Sequence, residues 1–322
     1  MGEVIETREL KVYFFLRRSL FRQRAVKAVD GVSLRIERGE TLALVGESGS
    51  GKTTLGRALL RLVELRDGVV LFRGRDITGL KGKGLKSFRR SAQAIFQDPY
   101  SSISPYMNIY DIVSEPLLIH RVKEKEKREK MLFRALEQVN LLPVREILYK
   151  YPHNLSGGQR QRVSIARAMV LEPEFVVADE PVSMVDASNR AEILYLLRNL
   201  QKEKSITFLY ITHDLASARH FSDRIAVMYL GTIVETGITG RVIEEPLHPY
   251  TRGLLASVPE PDPLNRKKLR PLIPGEPPSA SDVPSGCPFH PRCSDFIERL
   301  CDKARPSLKE LSPERSVACH LF

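Results

Sequence analysis

Apolar and polar positions along the chain switch between two periods, and the switches mark out its elements. Residues 32–36 (Val-Ser-Leu-Arg-Ile) alternate, the period of a half-buried strand. After a turn at Arg38-Gly39, Thr41-Leu-Ala-Leu-Val45 predicts a buried strand, which runs through a glycine-rich stretch into the helical pattern Thr54-Leu-Gly-Arg-Ala-Leu-Leu-Arg-Leu62. A middle region of about residues 98–172 carries charged helical patterns around Glu124–Val139 and Gln159–Met169. Strands are predicted again at Phe175–Ala178, Ile206–Thr212 and Arg224–Tyr229, with a helix at about 188–203 between the first two. This alternation implies a largely parallel sheet with crossover helices. The basic stretch holding Arg17, Arg18, Arg22, Arg24 and Lys27 reads as loop. Pro259, Pro261, Pro263, Pro271, Pro274, Pro277 and Pro278 predict an extended linker before a small tail. No internal repeat is evident.

Composition narrows the class only modestly. With 42% hydrophobic and 28% charged residues the chain is ordinary globular protein. No apolar run reaches bilayer length, and the start, Met-Gly-Glu-Val-Ile-Glu, lacks a secretion signal, so the expectation is a cytosolic protein with at most a peripheral membrane role. Lys plus Arg number 50 against 39 acidic residues, a net charge of +11, which suits nucleic acid, an anionic surface, nucleotide or plain solvation. The basic runs, including Lys81, Lys83, Lys86, Arg89 and Arg90, are not interleaved with aromatics as a base-stacking platform would be. All four cysteines, Cys287, Cys293, Cys301 and Cys319, crowd into the tail, which in a cytosolic chain favours metal over disulfides.

The chemistry begins at Gly46-Glu-Ser-Gly-Ser-Gly-Lys52-Thr53, which fits G-x-x-x-x-G-K-[ST] between a predicted strand and helix. Glycines let successive backbone N–H groups curl round phosphate, and a helix N-terminus favours the anion. Gly46, Ser48, Gly49, Ser50, Gly51, Lys52, Thr53 and Thr54 are thus candidate nucleotide contacts, with Lys52 on the β- and γ-phosphates and Thr53 on Mg²⁺. Phe175-Val-Val-Ala-Asp179-Glu180 is a strand ending in two carboxylates. Asp179 is placed to hold Mg²⁺ through water, and Glu180 to orient or deprotonate the attacking water.

Leu155-Ser-Gly-Gly-Gln159 resembles the signature pentapeptide of ABC ATPases. The resemblance implies a P-loop NTPase of α/β class: a RecA-like cassette with a mixed sheet, an inserted helical subdomain and a small cysteine-bearing C-terminal extension. It places the cassette at residues 1–245 and the extension at 246–322. It also implies that Ser156, Gly157, Gly158 and Gln159 cap the ATP held by a second cassette, so that two chains complete each other's sites. Gln97 in Ala94-Ile-Phe-Gln-Asp-Pro resembles the family's glutamine that links Mg²⁺ and water to the helical subdomain. His213 in Tyr210-Ile-Thr-His-Asp resembles its γ-phosphate-sensing histidine, and Asp186 falls in the loop that communicates between partners. Ser183-Met-Val-Asp departs there from the commoner Ser-Ala-Leu-Asp, which leaves that contact's geometry open. Tyr13 is the candidate for stacking on adenine, with Phe14 and Phe15 as rivals.

His248-Pro-Tyr-Thr-Arg-Gly-Leu-Leu-Ala-Ser-Val-Pro and Gln97-Asp-Pro-Tyr-Ser-Ser resemble the oligopeptide/dipeptide importer ATPases, whose members also serve oligosaccharides or nickel. The implied partners are a paralogous cassette, two transmembrane permease subunits and, indirectly, a substrate-binding protein, at the inner face of the cell membrane. Nucleic acid is not expected. A soluble ABC ATPase acting on ribosomes or DNA is the rival, but such relatives commonly carry two cassettes or a long coiled coil. The tail spacing Cys287-x5-Cys293-x7-Cys301-x17-Cys319 is similar to that of peptide-importer ATPases with a [4Fe–4S] cluster; four-cysteine Zn²⁺ and free or disulfide-bonded cysteines are the alternatives. Ser294 stands where this subfamily often has proline.

Overall fold

The computed structural model describes residues 2–19, 22–257 and 273–322. Of the predicted linker, Pro259, Pro261, Pro263 and Pro271 lie outside the described residues. In chain order come β1 (Glu3–Ser19), β2 (Arg22–Glu37), β3 (Thr41–Val45), α1 (Lys52–Leu59), β4 (Asp67–Phe72), β5 (Arg75–Asp76), α2 (Gly82–Ser91) and β6 (Ala92–Ile95). A helical stretch follows: α3 (Pro99–Ser102), α4 (Ile109–Ile119), α5 (Lys125–Gln138), α6 (Val144–Ile147) and α7 (Gly157–Met169). Next are β7 (Phe175–Asp179), α8 (Ala187–Lys204), β8 (Thr207–Thr212), α9 (Leu215–Phe221), β9 (Arg224–Tyr229), β10 (Thr232–Ile238), α10 (Thr239–Glu244) and α11 (Pro249–Ser257). Two short strands, β11 (Lys309–Ser312) and β12 (Arg315–Val317), lie in the tail.

These elements form two compact units. The first is Met1–Val4, Ile36–Thr41 and Phe72–Tyr210; the second is Ile5–Arg35, Leu42–Leu71 and Ile211–Phe322. In the first unit α7 packs against α3, α4, α5 and β6. Val163, Ile165 and Ala166 of α7 are fully buried, the apolar stripe an amphipathic helix gives to a core. Arg167, in the last turn, complements the helix dipole and donates to Ser102 O at 2.8 Å and Glu115 Oε2 at 2.7 Å. β6 and β7 pair in parallel, from Ala92↔Phe175 to Ile95↔Ala178. Phe175–Asp179 is buried throughout, which explains its unbroken apolar run.

In the second unit β3 runs parallel to β9, with Leu42 opposite Arg224 and Val45 opposite Val227. β10 then pairs antiparallel with β9, β12 with β10, and β11 with β12. The sheet is therefore mixed, as the family resemblance implies: the predicted strands β3 and β9 pair in parallel, and β10, β12 and β11 add antiparallel. β12 and α11 bring the extension onto this unit. Glu235 of β10, with no exposed side-chain surface, accepts from Arg315 of β12 at 2.7 Å and from the N–H groups of Leu247 and His248 at 2.9 and 3.0 Å. A buried carboxylate needs such donors, and here they tie the extension to the sheet.

The basic stretch from residue 17 to 27, read as loop, corrects to strand over its described part: β1 continues to Ser19 and β2 begins at Arg22. A strand pairs its backbone groups whatever its side chains are, and composition alone hid that pairing. Nearer the core, Thr7 Oγ1 donates to Val32 O at 3.0 Å, and strands run in the order β2-β1-β4.

Candidate nucleotide site

β3 delivers the chain into the glycine loop, and α1 starts at Lys52 with Gly51 as its N-cap. Two glycines are required by close approach. A Cβ on Gly46 would lie 2.2 Å from Met228 O, and one on Gly51 would lie 2.0 Å from Ala28 O. Gly231, in the β9–β10 turn, donates to Ser50 O at 2.9 Å, fastening the loop to the sheet beneath it. Ser48 and Gly49 are exposed, whereas Ser50 and Lys52 are buried. The Lys52 ammonium donates to Gly46 O at 2.7 Å, Glu47 O at 2.8 Å and Ser50 Oγ at 3.4 Å. It thus lies folded into its own loop. Thr53 and Thr54 occupy the first turn of α1 and are half-buried.

Elsewhere in this second unit, Tyr13 is half-buried and its phenol donates to Asp30 Oδ1, while Phe14 and Phe15 are exposed. Burial, then the Asp30 hydrogen bond, push the Tyr13 phenol up to about 12. The Lys27 ammonium stands over its ring at 5.9 Å from the centroid. Asp30 also accepts from Arg305 of the extension at 2.8 Å. His213 is exposed at the end of β8, and Asp214 caps α9 by accepting from Ala216 N and Ser217 N.

The first unit holds the carboxylates. Asp179 ends β7 and is 8% exposed. Glu180 follows in the left-handed region at φ 46°, and its Oε2 accepts from Gln97 Nε2 at 2.9 Å. Gln97 and Glu180, predicted separately, are thus in contact. Ser183 donates to Glu180 O from both its N–H and its hydroxyl, shaping the turn toward the exposed Asp186. Ser156 caps α7 through a capping box: its Oγ accepts from Gln159 N at 3.3 Å, and Gln159 Oε1 accepts from Ser156 N at 3.0 Å. Ser156 and Gln159 are exposed, Gly157 is half-buried, and Gly158 is buried beside Asn189. The helix start therefore offers N–H groups outward with its cap already made.

The sequence left the loop's support from the tail unseen. Glu47 N donates to Tyr250 Oη at 2.8 Å, and Arg292 grips the Glu47 carboxylate with two bonds of 2.8 and 3.1 Å. Tyr229, Tyr250 and Phe289 pack ring against ring, with centroids 4.7 to 5.3 Å apart, under this contact. The only sequence signal was the tail motif itself, since the partners lie 203 and 245 residues from Glu47.

The four cysteines are drawn together: Cys287 N donates to Cys301 O at 2.8 Å, and Cys293, Cys301 and Cys319 all act electrostatically on Cys287. Burial, then these neighbours, push the Cys287 thiol up to about 11. None of the four is in a disulfide. The expected four-cysteine metal site is not supported by this geometry: among the described residues no three Cys, His, Asp or Glu side chains form a group that could hold a metal ion.

Residues 29–183 match the ABC transporter family, and residues 234–301 match the oligopeptide/dipeptide transporter C-terminal region. The chain is 43% identical over 327 residues to the oligopeptide transport ATP-binding protein AppF of Bacillus subtilis (strain 168), spanning 99% of this chain and 97% of AppF. It is 45% identical over 323 residues to the oligopeptide transport ATP-binding protein OppF of Escherichia coli (strain K12), spanning 98% and 95%. Among solved structures, the dimeric post-hydrolysis ATP-binding cassette MJ0796 bound to ADP and Pi is 27% identical, with a TM-score of 0.65 over 73% of this chain and 98% of that one. A phosphate loop and a signature helix on an α/β chain of this kind define an ABC ATPase cassette. Within that class the chain belongs to the oligopeptide/dipeptide family of ABC transporter ATP-binding proteins. Among the described residues no helix is long and apolar enough to cross a membrane.

Proposed function

We propose that this chain is the ATP-hydrolysing subunit that drives uptake of oligopeptides or dipeptides. It works in a head-to-tail pair with a paralogous cassette, beneath two transmembrane permease subunits fed by a substrate-binding protein, at the cytoplasmic face of the membrane. The observation that carries this reading is the near full-length relation to AppF and OppF, extension included. Lys52 exchanges its own loop carbonyls for the β- and γ-phosphates, and the loop N–H groups from Gly49 to Thr53 cradle them. Thr53, Asp179 and Gln97 carry oxygen donors of the kind a hard cation takes; they would hold Mg²⁺, which would supply neutralisation of phosphate charge. Glu180, steadied by Gln97, orients and deprotonates the attacking water. Tyr13 stacks on adenine, His213 senses the γ-phosphate, and Ser156 to Gln159 with Asp186 serve the partner's nucleotide. In cells lacking the chain, the wild type restores uptake of a labelled tripeptide and Glu180→Gln does not. Restored uptake of nickel or an oligosaccharide, with none of peptide, would refute the cargo.

The tail cysteines hold a [4Fe–4S] cluster in this reading. What supports it is the sequence spacing Cys287-x5-Cys293-x7-Cys301-x17-Cys319, a four-cysteine ligand set. Protein purified without oxygen is brown and carries about four iron and four sulfide per chain. A colourless preparation loaded with zinc would replace the cluster by the alternative.

A further inference from the structure

We propose that Arg292 of the C-terminal extension is a positioning residue of the ATP site, acting through Glu47 of the phosphate loop. This rests on the reading of Gly46–Thr53 as that loop. Glu47 poses an electrostatic problem, because a carboxylate within a loop built to receive phosphates opposes the negative charge of its ligand. Arg292 answers it with a two-pronged, charge-assisted grip, Nη1 to Oε2 at 2.8 Å and Nη2 to Oε1 at 3.1 Å. The guanidinium is itself set in place: its Nε donates to Pro274 O at 3.0 Å, its Nη1 also reaches Tyr229 Oη at 3.4 Å, and its side chain is 6% exposed. Glu47 keeps 25% of its side-chain surface exposed, so the pair lies at the edge of the site rather than beneath the core.

The grip also fixes the backbone. The Glu47 N–H is taken by Tyr250 Oη at 2.8 Å, while the Glu47 carbonyl accepts from Lys52 at 2.8 Å. When Lys52 leaves for phosphate, the Glu47 carbonyl keeps the Ser50 N–H at 3.2 Å, and the extension's Tyr250 and Arg292 still hold residue 47 from outside the loop. The loop then remains shaped for its ligand at the moment its own lysine bond is given up, and that preorganisation sustains affinity. Arg292 thus neutralises Glu47, turns its carboxylate toward the extension and keeps the entrance of the loop fixed.

The test is a double-mutant cycle on the full chain with its partner subunits, reading kcat and KM for Mg-ATP. Arg292→Gln leaves an uncompensated carboxylate beside the phosphates and raises KM about tenfold, with kcat changed less than about twofold. Glu47→Gln alone raises KM no more than about threefold, and combining it with Arg292→Gln brings KM back toward wild type. Arg292→Lys, which keeps the charge and loses the fork, falls between. Arg252→Gln breaks the exposed Arg252–Asp295 pair elsewhere on the extension and leaves KM unchanged. The proposal is overturned if Arg292→Gln leaves KM within twofold, if the double variant is as impaired as the single, or if Arg252→Gln does equal damage. Lys52→Ala binding a non-hydrolysable ATP analogue as well as wild type would remove the phosphate-loop reading beneath it.

Discussion

Glu180 illustrates how a single residue is prepared for its task. It sits in the left-handed region, which a non-glycine residue occupies at a cost of about 1–3 kcal/mol, and strain of this kind collects at working sites. Its carboxylate is aimed by Gln97, so Glu180→Gln keeps an oxygen for that bond and loses only the base. ATP hydrolysis falls by about 10² to 10⁴-fold, while affinity for ATP stays within a few fold of wild type. Phosphate release and equilibrium nucleotide binding, measured side by side, separate these effects. Hydrolysis within tenfold of wild type would deny Glu180 the role of base.

At the scale of elements, His248 ties the start of α11 to the sheet. It is 1% exposed, its Nδ1 accepts from Tyr250 N at 3.0 Å, and its own N–H donates to Glu235. Burial, with the nearby Arg252 charge adding to it, lowers its pKa from 6.5 to about 4. Because the folded form resists protonation, its contribution is full above the unfolded value and is lost as pH falls toward 4. Between pH 7.5 and 5 this amounts to about 2 kcal/mol of unfolding free energy. His248→Asn, which retains an acceptor for Tyr250 N, flattens that part of the slope in urea titrations; an unchanged slope would show that other groups set it. Much at this scale was legible: β3, β7, β9, α5, α7 and α8 fall within a residue or two of their periodic patterns, because each buries one apolar face or a whole apolar run. The basic hairpin arms, β10 and the tail strands were not. Their pairing is set by partners distant in sequence, such as Glu235↔Val317, and no local period records it. In the candidate site, the glycine loop was read from the backbone its turn requires, Asp179-Glu180 from a buried strand ending in carboxylates, and the signature turn from its family resemblance. The Arg292–Glu47 contact was not, since one arginine among many carries no mark of its partner.

On the scale of the molecule, the extension is part of the second unit's core rather than an appendage. Arg315, 7% exposed, neutralises Glu235, which is wholly buried. Removing one partner of such a pair strands the other charge, so Arg315→Met costs about 3–5 kcal/mol in urea unfolding. Adding Glu235→Leu to it recovers much of the loss; equal instability in the double variant would mean that packing, not charge, is at stake.

The bond between Arg292 and Glu47 also orders events in time. The phosphate loop emerges from the ribosome 245 residues ahead of the arginine that neutralises it. At about 5–20 residues per second, that is a wait of about 12 to 50 s. Throughout it the nascent loop carries a bare carboxylate facing the cell's pool of ATP. On the proposed role of Arg292, a chain stalled or broken before residue 292 binds Mg-ATP about tenfold more weakly than a finished one.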